Sequence, residues 1–504
     1  MNINPLTCAD AYKLSHKGFM DDKTEIVYSN LTPRTSKYFP VAKGLYDDKA
    51  VFFGLQYFIK DFLIKDWNEL FFKRPKEEVI GKFKRRCDTF LGKDSVSMKH
   101  FEELHDLGYL PILIKALPEG ALVPMRVPFL TIQNTNPKFA WLTNYLETIL
   151  SCEVWKACFT ATLVREYKKL VNKFANETVG NRNHTPFSLH GFEFRGMSGR
   201  HDAAIAGAGL LLNSCGTDTI VAIDLLEEYY NADAEKELIA ASVPASEHAV
   251  SSLGTSLDSE LAFFKKAIIH DYPTGIVSLV SDTYDFFRVV TEFATILKDD
   301  ILKRRPNELG LAKVVFRPDS GNPIHIICGN PNAPKGSAEY KGAVECLWEI
   351  FGGTISEKGF KVLHERVGLI YGDSCNYEII HGILIGLKNK GFASSNIVFG
   401  VGSFSMNYAT RDSLGIAQKA TWAQVDGKGY DLFKEPKTDG ATGFKKSAKG
   451  LLRVDLVDGI YTLKDCCTLE EERGGELKPV FQDGKLLIDY SLKEIRQRVV
   501  NNIS

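Results

Sequence analysis

The stretch AKVVFRPDSG (312–321) runs from a continuous apolar segment into Arg317, Asp319 and a Ser-Gly turn. A continuous rather than alternating apolar run implies a strand covered on both faces, as in a parallel sheet or barrel. The same rhythm recurs in GIVSLVSD (275–282), RVGLIYGDS (366–374) and SNIVFGVGS (395–403). Between these runs, 283–304 and 376–391 carry apolar residues at helical spacing, the second closed by a glycine of the C-cap type. From Ser188 to Ser403 the chain therefore reads as consecutive βα units, and the expected fold class is α/β with a βα-barrel-like core.

Working outward, the flanks read differently. LPILIKALPEGALVPMRVPFLTIQ (110–133) has the Pro and Gly breaks of antiparallel strands, and LLRVDLVDGIYTLKD and PVFQDGKLLIDY carry Asp-Gly hairpin signals. A second, β-rich domain assembled from both ends of the chain is expected, with 1–180 and 405–504 flanking a core over 181–404. The polar segments 41–50 and 437–450 read as mobile loops.

With 504 residues, 44% hydrophobic and 25% charged, the chain can bury more than one core. Sixty-two basic against 63 acidic residues leave a net charge of -1, which removes the electrostatic argument for a nucleic-acid or membrane-surface partner. The opening MNINPLTCADAYKLSHKGF lacks an apolar signal region and no run could span a bilayer, so a cytoplasmic location is expected. Ten scattered cysteines without a C-x-x-C pair read as reduced thiols rather than a disulfide or zinc framework.

In a βα barrel, residues at the C-terminal strand ends face the ligand-binding top. That rule nominates Ser278, Asp282, Arg317, Asp319, Gly372, Asp373, Gly400, Gly402 and Ser403. Carboxylates accept hydrogen bonds from ribose hydroxyls, while guanidinium groups and glycine-freed amides hold phosphate, so the set suits a sugar phosphate or nucleotide. Each member has a plainer reading: an Asp after a strand is equally the N-cap of the next helix, and Asp319-Ser320-Gly321 equally a turn. Upstream, Phe192 is placed to stack on a flat ring and Arg195 to hold a phosphate, against the alternative that Phe192 is core. His248, beside Glu247 where a strand gives way to a helix, is a candidate nucleophile or proton carrier.

The landmarks LTCADAYKLSH (6–16), WLTNYLETIL (141–150), HGFEFRG (190–196), GTDT (216–219), SVPASEH (242–248), SLVSDTYD (278–285), FRPDSGNP (316–323), YGDS (371–374), FGVGS (399–403), TRD (410–412) and FKEP (433–436) together resemble the nicotinamide phosphoribosyltransferase family, over nearly the whole chain. The resemblance implies a type II phosphoribosyltransferase: a βα-barrel-like core plus a β-rich domain, working as a homodimer with shared active sites. It implies transfer from phosphoribosyl pyrophosphate to nicotinamide, with Mg2+ as cofactor and ATP hydrolysis coupled through a phosphohistidine at His248. By the same resemblance Phe192 and Tyr12 sandwich the pyridine and Asp218 accepts from the carboxamide. Arg317 lies beside the ring, and Asp319, Gly372 and Asp373 hold the ribose. Arg195, Gly402 and Ser403, with Arg411 and Lys419 from across the dimer, take the 5'-phosphate, while Arg34 and Lys434 handle pyrophosphate or nucleotide phosphates.

The chain departs from the vertebrate-like pattern in three places. Asp-Phe-Gly-Tyr-Arg there is Gly191-Phe192-Glu193-Phe194-Arg195 here, a phosphate-contacting serine is Ala417, and Ser403 replaces a glycine. The rival readings are nicotinate phosphoribosyltransferase, which Asp218 opposes by repelling an acid, a generic sugar-phosphate barrel enzyme, and an extracellular signalling protein.

Overall fold

The apolar runs become six parallel strands, β1 (Leu189–Phe192), β2 (Gly216–Thr217), β3 (Gly275–Val280), β4 (Ala312–Arg317), β5 (Val367–Tyr371) and β6 (Val398–Gly402). They lie in the order β2-β1-β6-β5-β4-β3, each neighbouring pair parallel. Parallel pairs need crossover connections, and the helical ones include α1 (Arg200–Leu211), α2 (Val221–Tyr229), α3 (His248–Ser252), α4 (Pro323–Cys328), α5 (Ala343–Phe351) and α6 (Tyr377–Asn389). The structure is a computed structural model that describes residues 3–253, 255–256, 259–372, 374–433 and 448–502.

The segment 241–246 joins both edges of this sheet. Ala241 bridges Gly216 of β2 and Ala245 bridges Ser278 of β3, both in the parallel sense. Ser246 N–H donates to the Ser278 carbonyl at 2.9 Å and Ser278 N–H to the Pro244 carbonyl at 2.9 Å. Edge strands need their backbone groups paired, and closure supplies the partners. Leu189, Val277, Val314, Phe316, Phe399 and Val401 on the strands are all buried. At Gly400 a Cβ would fall 2.6 Å from the Tyr371 carbonyl, so β6 sits this close to β5 only because the residue is glycine. The barrel belongs to a unit comprising Leu163–Asp224 and Asp233–Tyr408.

The other unit comprises Met1–Thr162, Leu225–Ala232 and Ala409–Asn502. Its main sheet has seven strands in the order 428–431, 417–425, 24–32, 130–134, 112–116, 478–482 and 485–486, antiparallel throughout. Both Asp-Gly pairs form hairpin turns, with φ of 51° and 76° at Asp458 and Gly459 and 49° and 79° at Asp483 and Gly484, the conformation a type I′ turn requires. Tyr28, Trp422, Leu451 and Leu452 pack into one buried cluster. The loop expected over 41–50 ends sooner than expected, because the buried Ala50 and Val51 draw Lys49–Val51 into a short strand against Leu122–Pro124. Residues 434–447, most of the second expected loop, lie outside the described residues. Among the described residues no helix is long and apolar enough to cross a membrane.

Candidate active site

The end of β4 sets the centre of the rim. Pro318 is buried between the half-buried Arg317 and Asp319, so the two polar side chains leave the strand on one side, as period-two geometry dictates. Arg317 N–H donates to Ser281 Oγ at 3.2 Å and its Nη2 to the Ser246 carbonyl, while buried Nε has no hydrogen-bond partner. Burial lowers the Arg317 guanidinium, and the charges of Asp319, Asp218 and Asp282 act against that shift. Gly372 N–H donates to the Pro318 carbonyl at 2.8 Å. A Cβ on Gly372 would lie 3.0 Å from Asp319 Cβ and 3.4 Å from Arg317 Cγ, which puts the Gly372 backbone flush against the pair.

His248 opens α3, straight after the segment that closes the barrel. Its Nε2 is 3.1 Å from Asp282 Oδ1 and 3.7 Å from Asp319 Oδ1. Asp282 also accepts from Asp319 N–H at 3.0 Å and from Ser320 N–H at 2.8 Å, both on Oδ2. Burial works to raise its carboxyl, but the bonds from Ser320 and Asp319 and the facing His248 hold it below the usual carboxylate range. Asp319 moves the other way, raised by burial and then by the charge of Asp282. The N-cap reading of Asp282 fails: Asp285 caps the following helix, accepting from Arg288 N–H.

At the opposite end, Phe192 closes β1 in register with Gly402, its ring 4.7 Å from the His190 ring. His190 Nε2 is 2.9 Å from Asp218 Oδ1, and Ser242 Oγ donates to the same oxygen, so neither bond uses Oδ2. Burial pushes Asp218 up, yet the His190 and Ser242 bonds and the charges of His190 and Arg317 bring it below the usual range. A Cβ on Gly196 would collide with Ser403 Oγ at 2.0 Å, so the exposed Arg195 turn rests on Ser403. Ser278 is buried in β3 with its hydroxyl unpartnered. Glu193, the next residue after Phe192, is fully buried.

The unit with the antiparallel sheet holds a separate group. Arg34 Nε donates to the Gly415 carbonyl at 3.0 Å, and burial followed by the charge of Arg411 lowers it. Arg411 also acts on Tyr12, which is 60% exposed and therefore open to a ligand face. Lys419 is exposed on the strand Ala417–Val425, opposite Asn30. Asp373 and Lys434 lie outside the described residues.

His190, Ser242, Ser281 and Ser320 escaped the sequence reading. His190 was within reach of the alternation rule, standing two residues before Phe192 on one strand face; the three serines had no local signal. Together the rim offers an ionised carboxylate beside an aromatic ring, a guanidinium with an unpaired nitrogen, and a histidine against two carboxylates. Such a set binds a flat polar ring and an anionic sugar side by side.

Comparison with known proteins gives the family. Residues 187–485 match the nicotinate phosphoribosyltransferase (NAPRTase) family. The nicotinamide phosphoribosyltransferase of Acinetobacter baylyi is 53% identical over 99% of this chain and 98% of its own length. The protein of that name from Mycoplasma pneumoniae is 32% identical over 87% of this chain and 93% of its own. A nicotinate-nucleotide pyrophosphorylase structure from Pyrococcus furiosus shares the fold at a TM-score of 0.55 and 15% identity, covering 98% of this chain and 94% of that one.

Proposed function

This chain belongs to the nicotinamide phosphoribosyltransferase family, and from that premise we propose how its rim carries out the transfer. The pyridine nitrogen of nicotinamide attacks C1 of phosphoribosyl pyrophosphate; the C1–N bond forms, the C1–O bond breaks and pyrophosphate leaves with the electron pair. The work of the protein is to align the reactants and stabilise charge at C1. One observation carries the choice of pyridine: Asp218 is held below the usual carboxylate range, and its His190 and Ser242 bonds both use Oδ1, which leaves Oδ2 for a ligand. A carboxylate there accepts from a carboxamide N–H and repels nicotinate. Phe192 stacks on the ring, with Tyr12 of a second copy on its other face; Arg317 borders it, and Asp319, Gly372 and Asp373 take the ribose hydroxyls. Arg195, Gly402 and Ser403, with Arg411 and Lys419 of the second copy, take the 5'-phosphate, and Arg34 and Lys434 the outer phosphates. Ser278 lies beneath the ring site.

His248 couples the reaction to ATP. With Nε2–H directed at Asp282, Nδ1 keeps its lone pair for the terminal phosphorus of ATP; the N–P bond forms as ADP leaves, and water later cleaves the phosphohistidine. His248, Asp282 and Asp319 bring one ligand atom each within 4.8 Å of one another, and the mutual charge that raises Asp319 is what a divalent cation offsets. The carboxylates of Asp282 and Asp319 fit Mg2+, which when bound neutralises pyrophosphate. The work is that of a cytoplasmic homodimer. Mononucleotide formation from nicotinamide and from nicotinate, with and without ATP, tests the reading; better turnover of nicotinate rejects it.

A further inference from the structure

Behind the pocket lies a carboxyl group that the chemistry above does not use. Glu193 follows Phe192, its side chain is fully buried, and neither carboxyl oxygen makes a hydrogen bond of good geometry. The group fills a space left by two glycines. A Cβ on Gly191 of β1 would fall 2.7 Å from Glu193 Oε2 and 2.7 Å from Thr217 Oγ. A Cβ on Gly207 of α1 would fall 3.0 Å from Glu193 Oε1 and 3.2 Å from Thr219 Cγ2. One oxygen therefore faces Thr217 and the other Thr219, the two neighbours of Asp218, whose own N–H is bonded to the Gly191 carbonyl at 2.9 Å.

We propose that Glu193 is a positioning residue for the pyridine pocket, bracing the Thr217–Thr219 turn from behind so that Asp218 presents Oδ2 to the carboxamide. This rests on the assignment of Asp218 made above. A buried carboxyl without hydrogen bonds is tolerated only in its neutral form. Burial raises Glu193 to about 7, and the charge of Asp218 adds to the shift while Thr219 opposes it. The other groups nearby are His190 on β1, bonded to Asp218, and Arg317 on β4, which acts on Asp218; α1 presents Gly207 and α2 presents Ala222, neither titratable.

The raised value fixes the sign. The folded chain holds this proton more tightly than the unfolded chain, so the stabilising contribution is complete below the ordinary glutamate value of 4.5. It falls as pH rises through about 7 and is level above that. In the folded chain Glu193 ionises only as pH passes about 7; once ionised it repels Asp218 and loosens the turn, so carboxamide binding weakens from there upward.

The test is the KM for nicotinamide of the full-length enzyme at saturating phosphoribosyl pyrophosphate, from about pH 6 to about pH 8.5. In the wild type it rises above neutrality with a limiting slope of about tenfold per pH unit, while the KM for phosphoribosyl pyrophosphate does not follow it. Glu193→Gln, which cannot ionise, flattens the nicotinamide profile. A level wild-type profile overturns the proposal without any variant, and so does a Glu193→Gln profile as steep as the wild type. Asp218→Asn is measured alongside: if it leaves nicotinamide KM unchanged, the Asp218 assignment itself has failed, whereas a raised KM with a level wild-type profile removes Glu193 alone.

Discussion

Replacing Asp218 by Asn inverts the pocket's polarity while keeping its shape. The side-chain oxygen that now receives His190 and Ser242 is Oδ1, and an amide oxygen satisfies both donors if it takes that place. The amide nitrogen then stands where Oδ2 faced the ligand, so an acceptor becomes a donor. The carboxamide loses a hydrogen bond to a charged group, about 1.5–3 kcal/mol, or roughly 10- to 150-fold in kcat/KM. Nicotinate gains, because a repelling carboxylate is replaced by an N–H that its own carboxylate accepts. The ratio of kcat/KM for nicotinamide over nicotinate, measured at one saturating phosphoribosyl pyrophosphate concentration, should therefore fall by about two orders of magnitude or more. A ratio that stays within about threefold of the wild type would refute the role given to Asp218. Because Asp218 is held below the usual range, its ionisation favours folding at neutral pH and is lost only on strong acidification, so the titration of Asp218 itself contributes no change in the ratio between about pH 6 and 8.

His248→Ala should abolish stimulation by ATP and sharply reduce synthesis, read as mononucleotide formed with and without ATP; full retention of both would reject the phosphohistidine. Phe192→Ala removes one face of the ring clamp and should raise the KM for nicotinamide by about tenfold, from a stacking contribution of about 0.5–1.5 kcal/mol plus lost apolar contact. Gly400→Ala forces a methyl to within 2.6 Å of the Tyr371 carbonyl; the overpacking costs about 1–3 kcal/mol and should lower the melting temperature by a few degrees in calorimetry.

The barrel was legible because buried parallel strands must be apolar along their whole length, and β3, β5 and β6 end where the apolar run gives way to Gly or Ser, β4 where it gives way to Arg317 and Pro318. Two things stayed hidden. The segment 241–246 closes the barrel through backbone bonds to Gly216 and Ser278, and SVPAS shows no apolar run because one stave needs only its main chain to do this. Asp282 was on the rim, but the plainer N-cap explanation was equally good until Asp285 was seen to cap the helix. The exchange around Phe192, with Gly191 and Glu193 in place of Asp and Gly, gave no sign in the sequence of how the two changes fit together. In space they are one: the Glu193 carboxyl occupies the room a side chain on Gly191 would need.

The three rim carboxylates share one arginine and are tuned apart. Asp218 and Asp282 each receive hydrogen bonds that outweigh burial, so both keep their charge and serve as fixed acceptors, one against His190 and one against His248. Asp319 gives its N–H to Asp282 but gains too few donors of its own, and the neighbouring charge raises it. A group in that condition gains most from a polar or cationic ligand, because the ligand supplies what the fold withholds. Arg317 is complementary: Nη2 is tied to Ser246, fixing the plane of the guanidinium, while Nε is left unpaired. Unmet donors and acceptors therefore meet between Arg317 and Asp319, two residues apart on one strand end.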